Sequence, residues 1–242
     1  MRFLNRNFFI AAFVILYLGI MNISASCSKN NSLMSSPSPY DTLKTYLALG
    51  DSYTIGQSVN ENETYPAQTV AILKTQNIDF SSPEIIATTG WTTADLQNAM
   101  NNHPFAHSSY DIVSLLIGVN NQYQGRSQTE YKSQFEALLK RAIQLADNIP
   151  SRVIVLSIPD YSVTPFAQNS DTVLIARQID SFNLINKAIS IEYKASYINI
   201  TDESRKAAAD KSLITYDSLH FSGKEYAIWA KMLADTIKNN LH

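Results

Sequence analysis

Tyr46-Leu47-Ala48-Leu49-Gly50-Asp51-Ser52-Tyr53-Thr54 is the stretch from which the rest of the chain can be placed. The apolar run Tyr46 to Leu49 reads as a short buried strand; Gly50 breaks it and a polar cluster follows. A serine just beyond the C-terminal end of a strand stands where an open α/β sheet puts its chemistry. The same residues also have a plain structural use, because Asp51 or Ser52 can cap whatever segment comes next. Choosing between these uses requires the rest of the chain.

Further strands follow at intervals: Glu84 to Ala87, Asp111 to Ile117, Val153 to Ile158 and Tyr197 to Ile200. Helical patterns lie between them. Thr64-Tyr65-Pro66 suits a helix start, with Ala67, Val70, Ala71 and Leu73 on one face. Ala94 to Met100 forms a short helix. Ser127-Gln128-Thr129-Glu130 is a capping-box pattern opening a long helix with Phe135, Leu138, Leu139 and Ala142 on one side. Asp171 to about Tyr193 reads as a second long helix. Ser222-Gly223-Lys224-Glu225 repeats the capping-box pattern ahead of the last helix, to about Asn239. Strands that are continuous apolar runs, alternating with helices, predict a parallel sheet covered on both faces. The expected fold is α/β, a three-layer α/β/α sandwich with a flavodoxin-like parallel sheet of about five strands. The order of the strands is not legible.

Ahead of this domain the chain begins with a processing pattern. Arg2 and Arg6 are followed by an almost wholly apolar run from Phe8 to Ile23. The run is short for a membrane span, which needs about 20 residues, and suits an export signal. It ends Ile23-Ser24-Ala25-Ser26-Cys27, and small residues directly before a cysteine resemble the lipobox of bacterial lipoproteins. That resemblance makes residues 1–26 the signal peptide and Cys27 the lipid-bearing first residue of the mature chain, held in the cell envelope. The alternative is an ordinary signal peptide cut near Ala25 or Ser26. Cys27 is the only cysteine, so it has no internal disulfide partner. Residues 27–44, rich in Ser, Asn and Pro, read as a flexible tether, and residues 45–242 as one domain. A net charge of −2 without a basic block gives nucleic-acid binding no electrostatic support.

The residues with chemistry in them fall just after predicted strands or ahead of the last helix, and in a parallel sheet those loops share one edge. Serine is a poor nucleophile unless a base takes its proton and a partner orients that base. His220 can be the base, and Asp217, three residues upstream in Asp217-Ser218-Leu219-His220, can meet the imidazole Nδ1–H in a turn. Oxyanion donors could be the backbone N–H groups of Ser52 and Gly90 and the side-chain amide of Asn120.

These blocks, in this order, resemble the SGNH (GDSL-type) hydrolase family. Gly50-Asp51-Ser52-Tyr53 is similar to its Gly-Asp-Ser-Leu block, with Tyr53 where leucine is usual. Gly90 falls at the glycine of the second block. Gly118-Val119-Asn120-Asn121 is similar to Gly-x-Asn-Asp, with Asn121 in place of aspartate, and Asp217 to His220 matches Asp-x-x-His in full. The resemblance spans about residues 45 to 240. It implies Ser52 as nucleophile, His220 as base, Asp217 as its partner, and Ser52, Gly90 and Asn120 as oxyanion hole. It implies no metal and no organic cofactor. Asn121 is expected to affect local turn structure more than activity. The chain has no Gly-x-Ser-x-Gly, which weighs against the nucleophile elbow of α/β-hydrolases.

Trp91, Tyr123 and Phe166 stand beside these loops and either line a substrate pocket or pack loops on the sheet. His103 and His107 are four apart, but Pro104 lies between them and no third ligand stands out. Trp229, inside the last helix, reads as core. Arg126 and Arg205 either meet an anionic substrate or lie on the surface. The expected activity is that of a serine esterase working through an acyl-serine intermediate. Short-chain or carbohydrate acetyl esters are favoured by the polar tether and the lack of a long apolar lid. Lipid esters, as in lysophospholipase-like members, remain open. So do acyl transfer to an alcohol and a non-catalytic carbohydrate-binding lipoprotein on the same fold.

Overall fold

The computed structural model describes residues 43–241. The expected export segment, Cys27, nearly all of the expected tether and His242 lie outside the described residues. Lys44, the last residue of the expected tether, already bridges to Phe80.

Five parallel strands make one sheet: β1 (Tyr46–Gly50), β2 (Glu84–Ala87), β3 (Ile112–Leu116), β4 (Val153–Leu156) and β5 (Ser196–Ile198), in the order β2-β1-β3-β4-β5. The α/β fold class is the expected one. Gly50 lies opposite both Ala87 and Leu116, so the first three strands end level with one another. The chain leaves β1 for one side and returns to the other at β3. That reversal opens a crevice beyond the carboxyl ends of β1 and β3, where such sheets bind ligands.

Helices are α1 (Ser52–Ile55), α2 (Tyr65–Thr75), α3 (Thr93–Asn102), α4 (Val119–Tyr123), α5 (Gln128–Leu145), α6 (Thr172–Glu192), α7 (Thr201–Ser204) and α8 (Gly223–Asn240). α2 packs on α8, while α3 and α6 both pack on α5. Every residue of β1, β3 and β4 is buried, as continuous apolar strands between two helical layers must be. Trp229 is wholly buried, 5.4 Å from the Phe221 ring and 5.0 Å from that of Tyr226.

Local signals hold where tertiary packing does not compete with them. Thr64 caps α2 with Pro66 in the first turn, and Thr92 and Asp95 close a reciprocal box on α3. The box read at Ser127 is half formed: its hydroxyl accepts the Glu130 N–H at 3.1 Å, but the Glu130 carboxylate takes Gln134 instead. The box read at Ser222 is absent. Ser222 Oγ donates to the Ser212 carbonyl at 2.8 Å, and Glu225 is buried with its carboxylate on Trp229 Nε1 at 2.7 Å. β5 stops earlier than the apolar run suggests, because Ser157 Oγ takes the amides of Ile200 and Thr201 and turns the chain into α7.

Candidate active site

α1 is a single turn set directly on the end of β1. Asp51 caps it, its Oδ1 accepting the Tyr53 N–H at 3.1 Å and its carbonyl accepting those of Thr54 and Ile55. The Ser52 amide is not among these. Glycine is required at position 50 by close approach: a Cβ there would stand 2.0 Å from Thr54 Oγ1 and 2.5 Å from the Leu116 carbonyl oxygen. Ser52 is therefore delivered straight off the strand into the crevice. Asp51 is itself buried, and desolvation pushes its carboxyl up to about 7 against the pull of the Tyr53 N–H. Among the described residues its Oδ2 has no hydrogen-bond partner.

Asp217 and His220 sit in a tight loop closed by a bridge between Ile214 and Phe221 and by the Thr215 amide on the His220 carbonyl at 2.8 Å. Asp217 Oδ2 lies 2.7 Å from His220 Nδ1. Oδ1 accepts the amides of Leu219 and His220, each at 2.9 Å, and the Thr215 hydroxyl at 2.7 Å. Ser58 adds a hydroxyl to Oδ2 at 2.6 Å. Burial works against ionisation of Asp217, but these donors outweigh it and hold the carboxyl well below its usual range. A carboxylate so held keeps the imidazole's Nδ1 as donor and leaves Nε2 to face a substrate.

Gly90 has φ +84°, and a Cβ there would meet nothing within 4 Å, so its backbone faces open space. Asn120, in the first turn of α4, donates from Nδ2 to the Trp91 carbonyl at 2.9 Å. A carboxamide carries two N–H donors, which leaves one for a ligand. Asn121 is fully buried and clasps the first residue of α3: its Oδ1 accepts the Thr93 N–H at 3.0 Å, and its Nδ2 donates to Thr93 Oγ1 at 2.7 Å.

Ser52, Gly90, Asn120 and His220 line one cavity of about 190 Å³. No hydrogen bond joins the Ser52 hydroxyl to the imidazole among the described residues; in resting sites such contacts are often long and tighten with substrate bound. The remaining walls are largely apolar. Tyr53, Val119 and Leu219 lie within, and Tyr123, Tyr161 and Phe166 form an aromatic group with ring centroids 6.1–6.4 Å apart. Tyr123 and Phe166 are exposed at its mouth.

Trp91 does not line this cavity. Its side chain is half-buried and packs against the core, and only its carbonyl serves the site. Tyr161 and Leu219 do line it and were not singled out from the sequence. Tyr161 could have been found, since it follows β4 on the same sheet edge as the other loops. Arg205 pairs with Asp160 at 2.8 Å and Asp180 at 2.7 Å, and among the described residues the Arg126 guanidinium makes only a long contact to Gln124; neither lines the cavity. His103 pairs with Glu84 at 3.0 Å, and no group of three or more His, Cys, Asp or Glu stands together for a metal among the described residues. No described helix is long and apolar enough to cross a membrane.

The model of the GDSL-like Lipase/Acylhydrolase family matches residues 48–228 of the chain. Solved structures share the fold. A lipase/acylhydrolase from Enterococcus faecalis is 15% identical with a TM-score of 0.65, covering 81% of this chain and 96% of its own. An acetylxylan esterase from Geobacillus stearothermophilus is 20% identical with a TM-score of 0.59, covering 80% and 94%. A member of the lipolytic G-D-S-L family from Veillonella parvula is 17% identical with a TM-score of 0.58, covering 79% and 96%. No curated protein matches the sequence.

Proposed function

Since the chain belongs to the GDSL-like Lipase/Acylhydrolase family and is an ester hydrolase, we propose that it cleaves short acyl esters through an acyl-enzyme on Ser52. Ser52 Oγ attacks the ester carbonyl while His220 Nε2 takes its proton. Asp217 holds the imidazole and stabilises the imidazolium that forms. The tetrahedral oxyanion is received by the Ser52 and Gly90 amides and by the second N–H of Asn120 Nδ2. Collapse expels the alcohol, protonated by His220, and leaves the acyl group on Ser52. Water, deprotonated by the same imidazole, then releases the acid and regenerates the serine.

The observation that carries this reading is the 2.7 Å contact of His220 Nδ1 with Asp217, with His220 in one cavity with Ser52, Gly90 and Asn120. The size of that cavity favours a small acyl group: at about 190 Å³ it falls below the roughly 300–1,000 Å³ typical of pockets for drug-sized ligands. Acetyl groups on carbohydrate fit it, with the sugar against the exposed rings of Tyr123 and Phe166. Lipid esters are the second reading, favoured by the same apolar rim. Hydrolysis of p-nitrophenyl esters across acyl chain lengths, wild type beside Ser52→Ala, tests both. A maximum at acetate that is lost in the variant supports the proposal, and a maximum at long chains turns it towards lipids. Equal activity in both proteins overturns Ser52 as the nucleophile, and no activity in either supports a binding module.

We also propose export and a lipid anchor on Cys27, from the sequence pattern alone. Cys27→Ser should then move the protein from the membrane to the soluble fraction of its host.

A further inference from the structure

Two residues that belong to none of the four blocks connect three of them. α1 is capped by Gly56, and the next two residues reach different loops. Gln57 Oε1 accepts the Thr89 hydroxyl at 2.7 Å, one residue before Gly90. Ser58 Oγ donates to Asp217 Oδ2 at 2.6 Å, across 159 positions of sequence. The segment is tied to the nucleophile's turn by the Gln57 amide on the Ser52 carbonyl at 2.9 Å. Ser58 has φ +70°. Residues other than glycine, asparagine and aspartate seldom adopt this left-handed region, and glycine would occupy it without strain. A serine kept in that conformation directs attention to its hydroxyl.

The hydroxyl falls on the oxygen that also meets His220 Nδ1. The donors to Oδ1 all come from the carboxylate's own loop, Thr215 to His220, and fix only that loop's shape. Ser58 reaches Asp217 from the segment that carries the nucleophile. A second donor on Oδ2 also draws off negative charge that the imidazolium would otherwise have to itself. We propose that Ser58 is a positioning residue of the hydrolytic site: its hydroxyl holds Asp217 Oδ2 against His220 from the nucleophile's side and moderates the carboxylate's pull on the imidazolium. The inference rests on the triad reading of Ser52, Asp217 and His220.

Other groups around His220 are the same in wild type and Ser58 variants. Tyr53 stands edge-on at 5.7 Å with Asp51 beside it, Tyr123 comes from α4, Asp160 and Tyr161 follow β4, and Tyr226 of α8 lies within the field of Asp217. A difference between the variants therefore reports on Ser58.

The test compares wild type, Ser58→Ala and Ser58→Gly. The measurements are pH profiles of kcat/KM on p-nitrophenyl acetate and an NMR titration of the His220 imidazole. Without the hydroxyl the carboxylate holds the imidazolium more strongly, so the acidic limb and the imidazole titration should both move up by about half a pH unit. kcat should fall by about tenfold through loosened orientation. Glycine suits φ +70°, so Ser58→Gly keeps the fold and should behave like Ser58→Ala. A titration that stays in place or moves down overturns the proposal, as does a Ser58→Gly protein that matches wild type. The imidazole titration is read without turnover, so the Ser58 inference is judged even if Ser52→Ala retains hydrolysis and the triad reading fails.

Discussion

Asn120 Nδ2 donates to the backbone carbonyl of Trp91 at 2.9 Å, so the third block is pinned to the second through main chain rather than through the indole. The amide is thereby fixed in direction before substrate arrives, as an oxyanion donor needs to be. Asn120→Ala should lower kcat by about a hundred- to a thousand-fold with little change in KM, the cost of one such donor. Trp91→Phe keeps the carbonyl and should leave kcat near wild type. Steady-state kinetics on p-nitrophenyl acetate check both; a large loss in the Trp91 variant would return its side chain to the pocket.

Two glycines of the site should fail in different ways. At Gly50 an added Cβ meets Thr54 Oγ1 and the Leu116 carbonyl far inside contact distance, so Gly50→Ala should lower the unfolding midpoint or prevent folding. At Gly90 there is room for a Cβ but φ is +84°. Gly90→Ala should fold, lose about 1–2 kcal/mol from the left-handed backbone, and lose activity as the loop relaxes away from the oxyanion. Thermal unfolding beside kinetics separates the two.

Burial of Glu225 gives stability a pH dependence. Desolvation, aided by Glu203 and opposed by the Trp229 N–H and by Lys206, raises its carboxyl from the ordinary 4.5 to about 7. A carboxyl that binds its proton more tightly when folded contributes stability that is complete below the unfolded pKa and is lost as pH rises through the folded one. The wild type should therefore lose up to about 3 kcal/mol from this residue between pH 4.5 and 7. Glu225→Gln keeps an oxygen for Trp229 and should flatten that window. Denaturant melts of the two proteins at pH 5 and pH 8 decide it: an equal loss in both would assign the effect elsewhere, with Asp51 the next carboxyl of the same sign.

What could be read from the sequence was what is contiguous in it. Asp217 and His220 are three apart and their block closes on itself, so the pairing was visible without the fold. Ser52, Gly90 and Asn120 were placed together only because strand ends in a parallel sheet share an edge. The strand order was not visible, since it is set by pairing between distant runs. Side-chain direction was equally hidden: Trp91 and Tyr161 both follow strands, yet one turns to the core and the other to the cavity. Glu225 satisfied a local capping pattern and was drawn instead to Trp229 inside the core. Ser58 carries no local pattern, and its partner lies 159 residues away.

The replacement of the family's usual aspartate by Asn121 has a physical counterpart in Gln134. Asn121 Nδ2 donates to Thr93 Oγ1, so the hydroxyl must pass its own proton on, and Gln134 Oε1 receives it. An aspartate cannot donate; the Thr93 hydroxyl would turn to it and leave Gln134 Oε1 without a partner. Asn121→Asp should therefore cost about 1 kcal/mol, the worth of one hydrogen bond, with activity little changed. Asn121→Ala strands the Thr93 amide in a fully buried place and removes the donor to its hydroxyl, which keeps Gln134 as acceptor; it should cost about 2–3 kcal/mol. It should also lower kcat, because the start of α3 then loses its tie to α4 and Gly90 and Asn120 lose their common frame. Denaturant melts and kinetics on both variants test the chain of donors. Equal cost for aspartate and alanine would show that the direction of the Thr93 hydroxyl is immaterial.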